Sequence, residues 1–295
     1  MWFCALDILP VALLIIILYG IRPVKPFSSF NSEYFSKKTG NYLRGILSLV
    51  IIFHHLAQET AAGVLFHGFS RVGSLVVAMF FFISGFGLQK SSMKSENYKK
   101  NYLTRRIVPI LVPYAIATAL FWAFNVLEGR IYSAVDVLKA IAVGEPIVSY
   151  SWYIISILVF YVVFLIIIHI CGKKYSLIIF FTCIWIVIYT FLCKVLHYGS
   201  WWYYSIHLIV VGMLWATFEE QILNFIKAHY KIVTPIILSI FAVLVYLLIN
   251  GTLAKNIRFS SITTLNIVFC IFCFEYFVNY DEVYNWKSHF VFSWD

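Results

Sequence analysis

Residues 152–171 read WYIISILVFYVVFLIIIHIC, a run without a single Asp, Glu, Lys or Arg. A helix of that length rises about 30 Å, which is the thickness of the hydrocarbon core of a bilayer. The run is therefore read as a membrane span. Working outward, eight further apolar runs of similar length occur: Phe3 to Ile21, Gly45 to Ala62, Val72 to Leu88 and Ile107 to Leu127 before it, and Tyr175 to Cys193, Trp201 to Phe218, Ile232 to Ile249 and Ile262 to Val278 after it. The expectation is an all-α, polytopic transmembrane helix bundle of about nine spans.

Composition agrees. Of the 295 residues 62% are hydrophobic and only 12% charged, a balance that needs lipid as solvent and excludes a soluble globular domain. The net charge of +9 does not indicate nucleic acid, because the basic residues lie between apolar runs and form no single stripe. They sort by side. With alternate connections taken as cytoplasmic, sixteen of the 22 Lys and Arg fall in 22–44, 90–106, 172–174, 219–231 and the C-terminal tail; Arg71, Arg130, Lys139, Lys194, Lys255 and Arg258 make up the opposite set.

By the positive-inside rule the N-terminus is outside and the C-terminus cytoplasmic. The first run has no basic stretch ahead of it and no small-residue cleavage site, so it reads as a retained anchor. Residues 1–40 are then an N-terminal anchor with a basic cytoplasmic connection, and 41–295 one membrane domain without internal repeats. The six cysteines sit in or beside apolar runs. Cys270 and Cys273 have the spacing of a metal pair but no second pair or histidine nearby, so no metal site is assigned.

Ionisable residues inside a span are costly and usually functional. Arg44 and His55, eleven residues apart, project from one face of a helix with His55 roughly 16 Å deeper, near mid-membrane if Arg44 marks the cytoplasmic interface. Arg44 as an interfacial anchor and His55 as a packing residue is the competing reading. His54 points about 100° away and reads as support. Ser84-Gly85, within Phe80 to Phe86, offers close helix approach and a hydroxyl. Glu275, inside the last run, must be neutralised or paired, and reads as a secondary site candidate or as a contact for a helix beyond this sequence. His169 and His207 read as packing histidines, and Glu59, Glu219 and Glu220 as solvated charges at span ends.

The Arg44-Gly45 pair opening a span, His55 after it, the aromatic Ser84-Gly85-Phe86 span, the basic stretch running to Arg106-Ile107 and Pro113-Tyr114, Ser151-Trp152-Tyr153-Ile154, and Trp201 to Ser205 leading to Gly212 to Ala216 together resemble the membrane acyltransferase-3 family. Its members O-acylate sugars and polysaccharides from acyl-CoA. The resemblance implies a cell-membrane enzyme in which His55 is the general base, with His54, Ser84 and Glu275 as possible support. It implies that Arg44, Arg105 and Arg106 hold the donor, acetyl-CoA above all, and that Trp152, Tyr153, Trp202 and Tyr203 contact a sugar or polysaccharide acceptor or else form the interfacial aromatic belt. No bound cofactor is implied; the lipid bilayer is the remaining partner.

Three departures stand out. Arg105 and Arg106 are adjacent where the family spaces its arginines by three, Tyr204 stands where an asparagine is expected, and the chain stops at Ser293-Trp294-Asp295 where the family continues through a further span or two. A truncated, inactive protein is therefore one rival reading. A transporter of lipid-linked sugars is another, although it would call for an inverted repeat and broken Gly/Pro helices. A glycerolipid-type acyltransferase would need an aspartate after four intervening residues, and His54 has Glu59 there.

Overall fold

The computed structural model describes residues 5–19, 34–60, 63–94, 98–130, 132–142, 145–249 and 255–279. The basic residues Arg22, Lys25 and Lys287 and the closing Ser293-Trp294-Asp295 lie outside the described residues. All described regular structure is helical. In chain order the helices are α1 (Ile8–Tyr19), α2 (Lys37–Glu59), α3 (Gly73–Lys94), α4 (Val108–Leu127), α5 (Ala134–Ala142), α6 (Trp152–Cys171), α7 (Tyr175–Val195), α8 (Leu208–Thr217), α9 (Glu219–Ile249) and α10 (Lys255–Asn279).

Each of the nine apolar runs contains a helix, and among the described residues five helical stretches are long and apolar enough to cross a membrane: Gly73–Lys94, Leu103–Leu127, Trp152–Cys171, Tyr175–Val195 and Glu219–Leu247. The count of about nine is not confirmed among the described residues, and three of the runs show why. In α2 the polar residues Asn41, Arg44, Ser48, His54, His55 and Gln58 dilute an otherwise apolar run. At α8 the chain from Tyr203 to His207 is not α-helical, so ten residues remain, about 15 Å and half a hydrocarbon core. In α10 the apolar stretch described is Ser261–Glu275. Conversely, α9 begins thirteen residues before its apolar run and continues through Pro235, which lacks the N–H for the Lys231 carbonyl.

The connection 128–150 also holds more structure than its sequence suggested. Ser133 and Asp136 cap α5 reciprocally, Ser133 N–H donating to Asp136 Oδ2 (2.8 Å) and Asp136 N–H to Ser133 Oγ (3.2 Å). The two bonds from Ser133, side chain first, hold the Asp136 carboxyl below its usual value.

The chain forms two compact units, residues 1–80 with 219–295 and residues 81–218. In the first, α9 and α10 pack as a hairpin. Phe274 is fully buried there against Tyr34 and Phe35, with ring centroids at 6.3 and 4.9 Å. The Tyr34 hydroxyl donates to Glu219 Oε1 at 2.7 Å, so Glu219 is a hydrogen-bonded anchor and not merely a solvated charge. At the other end of α2, Phe53 packs on Phe66 and Phe69 of the 3₁₀ turn Phe66–Arg71.

In the second unit the C-terminal part of α3 meets α8 backbone to backbone. A Cβ on Gly85 would overlap the Ile209 carbonyl, and one on Gly212 would overlap the carbonyl of Phe82. Phe82 packs edge-on against Trp215 (5.9 Å), and Gln89 Nε2 donates to Thr217 Oγ1 (3.0 Å). Helix association in lipid depends on such close approach, because the tails are as apolar as the side chains. By contrast α4 leaves Ile116, Leu120 and Phe124 exposed, a face that only lipid or another apolar partner can cover.

Gly85→Ala is expected to destabilise the protein by about 1–3 kcal/mol through overpacking. Gly87→Ala, whose added carbon comes no nearer than 3.7 Å to Arg106, stays close to wild type. Thermal unfolding in detergent measures both.

Candidate functional site

Ser36 starts α2, its Oγ accepting the Thr39 N–H at 3.2 Å, and the helix then runs unbroken to Glu59. Arg44 and His55 therefore share one face, roughly 16 Å apart along the axis. Arg44 Nη1 donates to Asn41 Oδ1 at 3.3 Å. His55 lies one turn from the far end of the helix, half-buried.

The two histidines have different surroundings. His54 Nδ1 is 2.8 Å from the Phe69 carbonyl, which can only accept, so the ring proton is on Nδ1. A Cβ on Gly73 would overlap the ring, so His54 is seated against α3 with a glycine making room. His55 Nδ1 is 3.3 Å from Gln58 Oε1, and the two imidazoles are 5.0 Å apart, tilted by 56°. With Gln58 oxygen as acceptor, the His55 proton sits on Nδ1 and Nε2 is the basic nitrogen.

Glu275 is 1% exposed inside the α9–α10 hairpin. Oε1 accepts from Thr234 Oγ1, and Oε2 has no hydrogen-bond partner among the described residues. Thr234, a residue the sequence did not single out, thus satisfies one of its two oxygens.

Ser84 belongs to the second unit. Tyr161 OH, on α6, donates to its Oγ at 3.4 Å, and the Tyr161 carbonyl accepts from the buried Tyr102 hydroxyl at 3.0 Å. Tyr102 also stacks on Phe164 and meets Tyr98 edge-on. It fastens the approach to α4 onto α6. Burial raises the Tyr102 hydroxyl pKa, and it lifts Tyr98 to about 12 against the opposing positive charge of Arg106.

The adjacent arginines diverge. They lie in a stretch of π-helix, Leu103–Ile107, ahead of α4, a local widening often found at functional sites. Arg106 turns inward, Nη2 donating to the Gly87 carbonyl (3.1 Å) and to Ser91 Oγ (2.9 Å). Arg105 is exposed, and no side-chain hydrogen bond or ion pair holds it among the described residues.

The candidate acceptor residues cluster in part. Trp152 is 6.1 Å from Trp202 and 6.4 Å from Tyr153, and Tyr153 meets Phe81 edge-on at 4.9 Å. Trp202, 2% exposed, also packs on Tyr198 at 4.9 Å, and its carbonyl accepts from Tyr189. Its indole Nε1 has no partner among the described residues. Tyr203 is half-exposed, with Lys194 Nζ 5.7 Å from its ring centre. No group of three His, Cys, Asp or Glu is placed to hold a metal among the described residues.

Sequence reasoning missed Tyr102 and Tyr161, and it quoted Gly212 as part of a motif without its packing role. A buried tyrosine in a span has to find a partner, which is the signal that marks Tyr161.

A family profile described as an acyltransferase domain matches residues 41–291. An O-acetyl transferase of Shigella phage Sf6 is 32% identical over 98 residues, 32% of this chain and 29% of that protein. The match thus spans under a third of the relative's length. No solved structure matches the chain.

Arg106→Ala is expected to cost about 1.5–3 kcal/mol, the range for hydrogen bonds made by a charged group. Arg105→Ala is expected to remain within about 0.5 kcal/mol of wild type. Unfolding midpoints of the two variants in detergent distinguish them.

Proposed function

The chain belongs to the acyltransferase-3 family, and we propose that it is a multi-pass cell-membrane enzyme that moves an acyl group, acetyl above all, from acyl-CoA to a hydroxyl of a cell-surface sugar or polysaccharide. The observation that carries this reading is the family match across 41–291 together with His55, a half-buried imidazole held by Gln58 on the same helix face as Arg44.

In the reaction His55 Nε2 removes the proton of the acceptor hydroxyl as its oxygen forms a bond to the thioester carbonyl carbon. The tetrahedral intermediate collapses with loss of the carbon–sulfur bond. The thiolate of coenzyme A then takes the proton from the imidazolium, returning His55 to its neutral form. His54, committed to Phe69 and seated at Gly73, orients the last turn of α2.

The donor enters from the cytoplasmic side. Support for the topology comes from the first unit, where Tyr34, Glu219 and Phe274 meet at one end, as the distribution of Lys and Arg requires for the connections 22–44 and 219–231 and for the tail. The phosphates of coenzyme A suit arginine. Arg105 is the exposed member of its pair and the first candidate contact, with Arg44 at the mouth of α2 and Arg106 shaping the corner from Gly87 to Ser91.

On the acceptor side, the Trp202 indole N–H is a buried donor that a sugar oxygen would satisfy. Trp152, Tyr153 and Tyr203 supply aromatic faces for the ring. Ser84 and Glu275 support the surrounding helices through Tyr161 and Thr234.

His55→Ala is expected to abolish acyl transfer from labelled acetyl-CoA to a sugar acceptor while leaving the fold intact. His54→Ala keeps most of the activity and loses about 1 kcal/mol of stability with its hydrogen bond. An active His55→Ala enzyme would return His55 to a packing role. Arg105→Ala is expected to raise KM for acyl-CoA alone. Trp202→Phe, which keeps an aromatic ring and removes the N–H, is expected to raise KM for the acceptor alone, by roughly five- to tenfold for about 1 kcal/mol of lost hydrogen bonding. Steady-state kinetics with each substrate varied in turn checks both assignments.

A further inference from the structure

Asp7 lies in the 3₁₀ turn Ala5–Asp7 that leads into α1, outside the stretch matched by the acyltransferase profile. It is only 4% exposed. Its carboxylate accepts three consecutive backbone N–H groups: Val64 to Oδ2 at 3.2 Å, and Leu65 and Phe66 to Oδ1 at 2.8 and 2.9 Å. Successive amides converging on one carboxylate make an anion nest, and such charge-assisted bonds are the strong ones. Gly63 is shaped for it, with φ +85° and a position where an added Cβ would come 2.8 Å from Oδ1.

The same loop holds the end of the candidate catalytic helix. It leads directly into the turn Phe66–Arg71, whose Phe69 carbonyl takes the His54 Nδ1 proton. Phe53 packs on Phe66 at 5.8 Å and on Phe69 at 5.4 Å. Residues 53 and 54 are thus both clamped by the loop that Asp7 anchors, and His55 is the next residue. Because successive helical residues are related by about 100°, clamping two of them fixes the direction of the third.

We propose that Asp7 is a positioning residue for acyl transfer: it anchors the loop 63–71, and through Phe53 and His54 that loop sets the direction in which His55 faces its substrates. The N-terminal segment then works as part of the active enzyme and not only as a membrane anchor. The proposal rests on the reading of His55 as the base.

The test compares wild type with Asp7→Ala, Asp7→Asn, Gly63→Ala and His55→Ala, all full-length and purified in detergent, with kinetics normalised to folded protein. Asp7→Ala is expected to speed hydrogen exchange at the amides of 64–66 and to lower kcat by about ten- to a hundredfold, the scale of a catalytic group displaced by about 1 Å. KM for acyl-CoA stays within about twofold of wild type. Asp7→Asn, which keeps one acceptor oxygen, falls between the two, and Gly63→Ala follows Asp7→Ala.

A purely structural anchor would lower the folded yield and the melting temperature while leaving kcat per folded molecule at its wild-type value. That result, with faster exchange at 64–66, would overturn the proposal. If Asp7→Ala fails to fold, Asp7→Asn decides by the same criterion. His55→Ala separates the two readings: activity there removes the base assignment, whereas the positioning role stands or falls on kcat in the Asp7 variants.

Discussion

Backbone touches backbone where α3 crosses α8, and the arrangement of the second unit depends on that contact. Inside a bilayer no hydrophobic effect draws two helices together, so close packing and internal hydrogen bonds must do so. Gly85 and Gly212 each remove the one carbon that would keep the partner's carbonyl away. With 82, 85 and 89 committed to α8, the helical rotation turns Ser84 towards Tyr161 and Phe81 towards Tyr153, both on α6. The Ser-Gly-Phe signature is thus a packing device first, and its glycine decides what its serine can reach.

The first unit is governed by a different constraint, the need of every polar group in an apolar setting to find an internal partner. Asp7 satisfies three amides, Phe69 satisfies His54, and Thr234 satisfies one oxygen of Glu275. These pairings separate the histidines chemically. The Nδ1 proton of His54 is fixed by a carbonyl, and a neighbouring helix lies against its ring. The contact of His55 to Gln58 comes from its own helix and orients the ring from within it.

Much of this was legible in the sequence wherever one element made its own case. The span Trp152–Cys171 is bounded in the structure as its sequence reads, because both ends carry signals: Ser151 between Tyr150 and Trp152, Gly172 with two lysines after. The shared face of Arg44 and His55 needed only an unbroken helix. What could not be read was anything that depends on a distant partner. Asp7 resembles a polar residue at the head of an anchor until residues 64–66 are seen around it, and Glu219 resembles a solvated charge until Tyr34 reaches it. The helix α8 looked like a span because its run is apolar, yet Tyr203 to His207 begin it with residues that pack and bond outside an α-helix.

Adjacent pairs recur in the candidate chemistry: His54 with His55, Ser84 with Gly85, Arg105 with Arg106. Helical geometry turns neighbours about 100° apart, and about 120° is not far off in tighter turns, so two adjacent residues cannot serve one site equally. In each pair one member is taken by packing: His54 against Gly73, Gly85 against Ile209, Arg106 across Gly87 and Ser91. The other member is left pointing elsewhere, to Gln58, to Tyr161, and to the exposed face before α4. The stiffness of one helical turn passes the held residue's fixed position directly to its neighbour. For the base proposed above, such a split gives the half-buried His55 a defined direction, which is what a group that must meet two substrates requires.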